Sequence, residues 1–228
     1  MSIDANASAR RDVLARVREA LSVGQNDPRR IKAADDYVAA HAQGPRPAMP
    51  ADLTARFIQR ARDMASTVET ISTPAEVPHA VARYVDGLDL PDAIAAQKSR
   101  LGVCWPEFAS LDWAGAGLAI EARPTQGRDR LGITGAFCAI AETGTLVFTT
   151  SPGTPTATAL LPDTHVAVLR ASRIVSGMEE AFAQVRADHG TLPRAVNFIS
   201  GPSRTGDIEQ TIVLGAHGPF RVHILILP

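Results

Sequence analysis

The chain has 228 residues, 45% of them apolar and 21% charged, enough to fold around one good core with a helical extension. Its 23 Lys and Arg nearly balance 24 Asp and Glu, leaving a formal net charge of -1 and no basic field to draw nucleic acid or an anionic membrane. Only two cysteines occur, Cys104 and Cys138, with no CxxC, which excludes a four-thiolate iron–sulfur cluster held by this chain alone and leaves no Cys/His metal pattern.

Two lone cysteines also argue against a disulfide framework, which fits a reducing compartment. No run approaches the ~20 apolar residues of a membrane span, and the N-terminus has no apolar leader core. A cytoplasmic location without a protein-bound metal is expected.

In chain order, Ser8 to Leu21 has helical spacing, with Ser8 at the N-cap position. Val13, Leu14, Val17 and Leu21 recur on one side among Arg10, Arg11, Arg16 and Arg18, a pattern that fits a solvated face or a partner-docking helix. Gly24 to Pro50 is a Pro-punctuated linker with a helical patch near Ile31 to His41. Residues 1–50 therefore form an N-terminal helix and linker arm, and 51–228 the main domain. Asp52 to Ala65 is the next helix, with Leu53, Phe57, Ala61 and Met64 as its stripe. Thr73-Pro74-Ala75-Glu76 resembles a capping box, although Pro78 removes a donor from the turn that follows. That helix continues through Val81, Tyr84 and Val85.

From Leu101 onward short apolar runs alternate with turns. The expected strands are Leu101–Cys104, Gly117–Glu121, Thr145–Thr149, His165–Leu169, Ala195–Ile199 and Val222–Leu227. Gly177 to Ala187 is helical, with Met178, Phe182 and Val185 on one face. Strand His165–Leu169, this helix and strand Ala195–Ile199 have the spacing of a βαβ unit. Near-continuous apolar strands indicate a sheet covered on both faces, so the fold class is α/β in three layers.

Three stretches carry chemistry. Ser200-Gly-Pro-Ser-Arg-Thr205 follows an apolar strand, where ligands sit in open α/β sheets. Asp207 with Gln210 three residues on reads as a helix start, whose free N–H groups would meet an anion beside Arg204. Equally, Ser203 and Thr205 are turn caps and Arg204 pairs with Asp207 or Glu209. Glu142, in Ala139-Ile-Ala-Glu-Thr-Gly-Thr145, is either a buried base or nucleophile or a turn residue. His217, in Gly215-Ala-His-Gly-Pro219, is either a general base or a loop tie. A last strand parallel to Ala195–Ile199 would hold His217 away from Ser203, whereas a returning loop would bring them together. The hydroxyl-rich Thr149–Thr158 lacks a P-loop Lys and any GxGxxG, and is expected to be a surface loop capping a short helix at Ala157–Leu161.

Together these stretches resemble the lactate-utilization LutC/YkgG family, whose domain is called LUD. The resemblance rests on Gly132-Ile-Thr-Gly-Ala-Phe-Cys-Ala-Ile-Ala-Glu-Thr-Gly-Thr-Leu-Val147, Leu160-Leu-Pro162 with His165, Ser200-Gly-Pro-Ser-Arg-Thr-Gly-Asp-Ile-Glu209 and Gly215-Ala-His-Gly-Pro219, in that order. It implies a three-layer α/β/α sandwich like the NagB/RpiA/CoA-transferase fold, with the N-terminal helices as an extension. It also implies a part in oxidising L-lactate to pyruvate, as the subunit without clusters beside LutA-like and LutB-like iron–sulfur partners. No cofactor is then expected in this chain. On that reading Glu142 and His217 are the catalytic candidates. Thr143, Gly144, Thr145, Gly201, Ser203, Arg204, Thr205 and Asp207 are the substrate-binding ones, with Arg204 gripping a carboxylate. Two departures stand out: Gly206 where the family commonly has Ala, and no Arg in the Pro152–Ala159 loop. The rival readings are a stand-alone transferase or isomerase acting on a CoA thioester or phosphorylated metabolite, and a non-catalytic assembly or regulatory subunit.

Overall fold

The computed structural model describes residues 3–21, 27–90, 99–208 and 210–228. The start of the expected linker at Gly24, and Glu209, lie outside the described residues. The chain divides into two units, Met1–Arg46 and Pro47–Pro228.

The first unit holds helices α1 (Ile3–Ala20) and α2 (Pro28–Ala40). Ser8 lies inside α1 and so is not its cap. The helical patch near Ile31 is real: Asp27 caps α2 by accepting the Arg29 N–H, Pro28 opens it, and His41 closes it in the left-handed region at φ 44°.

The second unit opens with α3 (Leu53–Asp63), where Asp52 accepts the Ala55 N–H at 2.9 Å and Phe57 and Ala61 are fully buried one turn apart. Strand β1 (Thr67–Thr70) follows. A 3-10 turn at Pro74–Glu76 then leads into α4 (Val77–Asp86). Glu76 takes the Thr73 hydroxyl and the Ser72 N–H, but Thr73 caps no backbone N–H. Because α4 starts at Val77, Pro78 falls in its first turn, where the missing N–H has no helical acceptor to lose.

Strands β2 (Leu101–Cys104), β3 (Ala119–Glu121) and β4 (Leu131–Gly135) come next, then β5 (Cys138–Ile140) and β6 (Thr145–Thr149). Short helix α5 (Ala157–Leu160), strands β7 (Thr164–Arg170) and β8 (Ile174–Val175), and helix α6 (Met178–His189) follow. The chain ends with β9 (Val196–Ile199), β10 (Arg204–Ile208), β11 (Thr211–Leu214) and β12 (Arg221–Leu227).

The main sheet has six parallel strands in the order β1-β12-β7-β4-β2-β3. Nearly every residue of β7 and β12 is buried, from Thr164 to Leu169 and from Val222 to Leu227, so both sheet faces are covered. The class is mixed α/β around a mostly parallel central sheet, as the apolar runs indicate. Strand β4 reads poorly in sequence because two of its five residues are glycine. Each glycine admits a close neighbour: a Cβ at Gly132 would stand 2.1 Å from the Thr158 carbonyl oxygen, and one at Gly135 2.3 Å from Glu107 Oε1.

Three expectations are corrected. The βαβ unit does not form, because β7 lies in the parallel sheet while β9 pairs antiparallel to β6 in a second sheet of order β8-β5-β6-β9. No helix starts at Asp207; Arg204–Ile208 and Thr211–Leu214 form an antiparallel hairpin. In α6 the buried positions are Ala181 and Val185, and Met178 is exposed.

Candidate functional site

Two places gather the chemistry, at opposite ends of β6. The first is the turn between β5 and β6. Glu142 sits here, half-buried, its N–H donating to the Ser176 carbonyl at 3.1 Å. Its carboxylate makes no hydrogen bond or ion pair among the described residues. Gly144, at φ 70°, lets the turn press on α3, since a Cβ would stand 2.5 Å from Ala61 N. Gly201, at φ 73°, does the same from the end of β9, where a Cβ would meet the Met64 carbonyl oxygen at 2.0 Å. Arg204 adds a third contact with the same helix end, donating to the Met64 carbonyl at 3.2 Å. The pairing of β6 with β9 sets Thr145 beside Ser200, so a hydroxyl chain runs Thr143–Thr145–Ser200 with oxygen separations of 2.6 and 2.5 Å.

The returning loop also exists. The Ser203 N–H donates to the Pro219 carbonyl at 2.9 Å, Gly215 N–H donates to the Ser203 carbonyl at 2.9 Å, and His217 N–H donates to Ser203 Oγ at 3.4 Å. The β10–β11 hairpin thus folds the Gly215–Pro219 loop back onto the Ser200 loop, although β12 lies in a different sheet. The His217 ring remains exposed, its Nε2 4.0 Å from an exposed Asp207 carboxylate. Thr205 Oγ1 accepts the Asp207 N–H within the hairpin. Thr143, Gly144, Thr145, Gly201 and Arg204 therefore gather around the end of α3, while Ser203, Thr205, Asp207 and His217 gather on the hairpin. No hydrogen bond or ion pair links Glu142 to His217 among the described residues.

The second place follows from topology. The chain leaves β2 toward β3 at one sheet edge, and leaves β4 toward β7 on the other side, so the carboxyl ends of β2 and β4 flank a switch point. Such a point opens a crevice. Here it is a cavity of about 460 Å³, lined by Trp105 and Glu107 after β2, Gly135 at the end of β4 and Phe137 after it, and Arg170 at the end of β7 and Arg173 after it. Thr149, at the far end of β6 from Thr145, also lines it. Burial raises the Glu107 pKa above the usual carboxylate value, opposed by the Gly135 N–H that it accepts and by the Arg170 charge. Arg173 is committed: Nε donates to the Phe137 carbonyl at 2.9 Å, a terminal nitrogen pairs with Asp188 at 2.7 Å, and the guanidinium lies 4.5 Å from the Phe137 ring centre. Arg170 makes no hydrogen bond or ion pair among the described residues.

Glu107, Arg170 and Arg173 escape the sequence reading. The signal was there, because Trp105-Pro-Glu107 directly follows the expected strand Leu101–Cys104, and Arg170 directly follows His165–Leu169. The strand before the Ser200 loop, Val196–Ile199, lies outside the parallel sheet, so its end is not one of the carboxyl ends that frame the crevice.

The remaining resemblance motifs are packing devices. Gly132 abuts Thr158 and Pro162, and buried His165 meets the Thr134 hydroxyl at 2.8 Å through Nε2. The two thiols are buried, which pushes the Cys104 pKa up to about 11 and the Cys138 pKa up to about 12. Among the described residues no helix is long and apolar enough to cross a membrane.

The LUD domain family model matches residues 54–227. Lactate utilization protein C of Shouchella clausii is 36% identical over 99 residues, 42% of this chain and 43% of that one. The protein of the same name from an Exiguobacterium species is 36% identical over 121 residues, 52% of this chain and 53% of that one. The matches thus span about half the length of these relatives. The crystal structure of a DUF162 family protein from Deinococcus radiodurans superposes with a TM-score of 0.56 at 23% identity, covering 80% of this chain and all of that one. That likeness supports the α/β architecture, and the family match over most of the second unit places this chain in the LUD domain family.

Proposed function

We propose that the chain serves lactate utilization as the cluster-free subunit of an iron–sulfur system that oxidises L-lactate to pyruvate. The observation that carries this reading is the similarity to relatives named lactate utilization protein C. Oxidising a 2-hydroxy acid removes two electrons and two protons, so an acceptor is required. Two buried thiols, at Cys104 and Cys138, are too few for a cluster. The reading therefore assigns the clusters to LutA-like and LutB-like partner subunits. Arg204 as carboxylate grip, His217 as base and Glu142 as orienter belong to the same proposal.

The test is deletion of the gene, with growth compared on L-lactate and on glucose. Selective loss on lactate, restored by a plasmid copy, is the expected result. Unimpaired growth on lactate in a strain with no other lactate oxidase would sink the reading. Glu142→Ala, Arg204→Ala and His217→Ala copies then separate chemistry from assembly. If all three restore growth, the subunit acts without them.

A transferase or isomerase acting on a CoA thioester or phosphorylated metabolite has one observation in its favour. Glu107, with its raised pKa, lines a switch-point crevice together with Arg170. Screening the purified chain against such substrates tests that reading.

A further inference from the structure

We propose that the switch-point crevice binds an organic anion with an apolar body larger than lactate, its anionic oxygens held by Arg170 beside the Glu107 carboxyl. The proposal concerns a ligand of this chain by itself and stands whether or not the lactate reading does.

Size is the first argument. The cavity measures about 460 Å³, within the roughly 300–1,000 Å³ range of sites that take ligands of drug size. Lactate has six non-hydrogen atoms and fills about the space of three waters, roughly 90 Å³. It would leave most of the crevice wet.

The lining gives the second argument. Trp105, Phe108, Leu111, Phe137 and Val168 supply apolar walls. An apolar or aromatic body gains from covering such walls in proportion to the area removed from water. A three-carbon acid has little area to offer.

The third argument is charge. The two arginines of the crevice differ in availability. Arg173 is spent on the Phe137 carbonyl, on Asp188 and on the Phe137 ring, so it stiffens one wall. Arg170 projects from the carboxyl end of β7 with its fork of donors unused among the described residues. That fork suits a carboxylate or phosphate head. Glu107 is held by the Gly135 N–H and lies over Gly135, where a Cβ would stand 2.3 Å from its Oε1. A carboxylate beside the head would normally repel it. Partial burial shifts the Glu107 pKa upward, the direction that weakens this repulsion.

The test is calorimetric titration of the full chain with four probes: phenylpyruvate, phenyl phosphate, L-lactate and inorganic phosphate. The expected result is saturable binding of at least one aryl anion, at least tenfold tighter than L-lactate and inorganic phosphate. Which aryl anion wins tells a carboxylate head from a phosphate head. Arg170→Ala should weaken that binding at least tenfold. Arg128→Ala, at the separate cavity beside β3, should leave it unchanged. Because Trp105 lines the crevice, the bound probe should also change tryptophan fluorescence in the wild-type chain but not in the Arg170→Ala protein at the same concentration. Arg170 is exposed, so its loss should leave the fold intact, and circular dichroism checks this. Aryl anions that bind no better than lactate, or equal binding by the Arg170→Ala protein, would overturn the proposal.

Discussion

Thr145 and Ser200 face each other across the β6–β9 pair with their hydroxyl oxygens 2.5 Å apart, and Thr143 extends the line at 2.6 Å. This contact joins the two stretches that stand out most in sequence, the Glu142 turn and the Ser200 loop. Thr145 is the buried member, while Thr143 and Ser200 reach solvent. Thr145→Val keeps the shape and removes the middle hydroxyl, and its two neighbours can turn to water. The expected cost is therefore about 1 kcal/mol, read as a lower urea midpoint. Ser200→Ala should cost less, and the double variant should fall short of the sum. Strict additivity would mean that the two hydroxyls do not stabilise each other.

Gly201 and Gly206 make a matched pair of opposite sign. A methyl group at Gly201 would meet the Met64 carbonyl oxygen at 2.0 Å, and the residue sits at φ 73°. The left-handed backbone costs about 1–2 kcal/mol for a non-glycine residue, and the collision adds about as much. Gly201→Ala should therefore lose about 3 kcal/mol and pull the Ser200 loop off α3. Gly206 has nothing within 4 Å of the same position. Gly206→Ala should be neutral or stabilise by about 0.5 kcal/mol. Thermal melts of the two proteins decide the matter, and equal melting temperatures would contradict the geometry.

Asp129 organises the link between β3 and β4. Its side chain is 6% exposed and accepts two N–H groups of Arg123 at 2.8 Å and the Gln126 N–H at 2.6 Å. These bonds, those from Arg123 first, hold its carboxyl below the usual pKa. A depressed carboxylate pKa stabilises the fold above the ordinary value near pH 4, and that stabilisation is lost as pH falls through the folded value. Asp129→Asn should cost about 2 kcal/mol at pH 7. The gap between variant and wild type should close as the pH is taken below about 4. A gap that stays constant with pH would assign the loss to packing.

Much of the fold was legible where burial and period agree. Phe57 and Ala61 mark α3, and the apolar runs of β7 and β12 mark the centre of the sheet, because strands covered on both faces must be apolar throughout. Strand β4 was hidden by Gly132 and Gly135, whose reason lies in Thr158, Pro162 and Glu107, residues distant in sequence. The allotment of β9 to a second sheet was hidden too, since a strand's apolar pattern does not say which neighbour it pairs with. At the site, local chemistry revealed the turn and loop, and their meeting at Thr145 and Ser200 followed from pairing. The crevice was legible only in part. Glu107 and Arg170 stand just after expected strands, but they and Arg173 become neighbours only through the strand order.

His165 and His223 should make the fold sensitive to mild acid. His165 is fully buried, with Nε2 on the Thr134 hydroxyl and the ring 5.6 Å from that of Phe148. His223 stacks on Tyr84 at 4.1 Å, with Nδ1 on the Thr67 hydroxyl and Glu69 and Arg83 as its charged neighbours. Burial pushes their pKa values down to about 3 for His165 and about 4 for His223. In the unfolded chain both take protons near pH 6.5. Between pH 6.5 and about 4 the unfolded state therefore binds more protons, so stability rises with pH there and is lost as pH falls. By pH 5 each histidine should have removed about 2 kcal/mol relative to pH 7. His165→Gln keeps a polar partner for Thr134 and cannot titrate in this range. Whatever it costs at pH 7, it should lose about half as much further stability between pH 7 and pH 5 as the wild type does. Urea unfolding of both proteins at pH 7, 6 and 5 measures this, and a flat wild-type profile would show that the two rings are not held neutral by the fold.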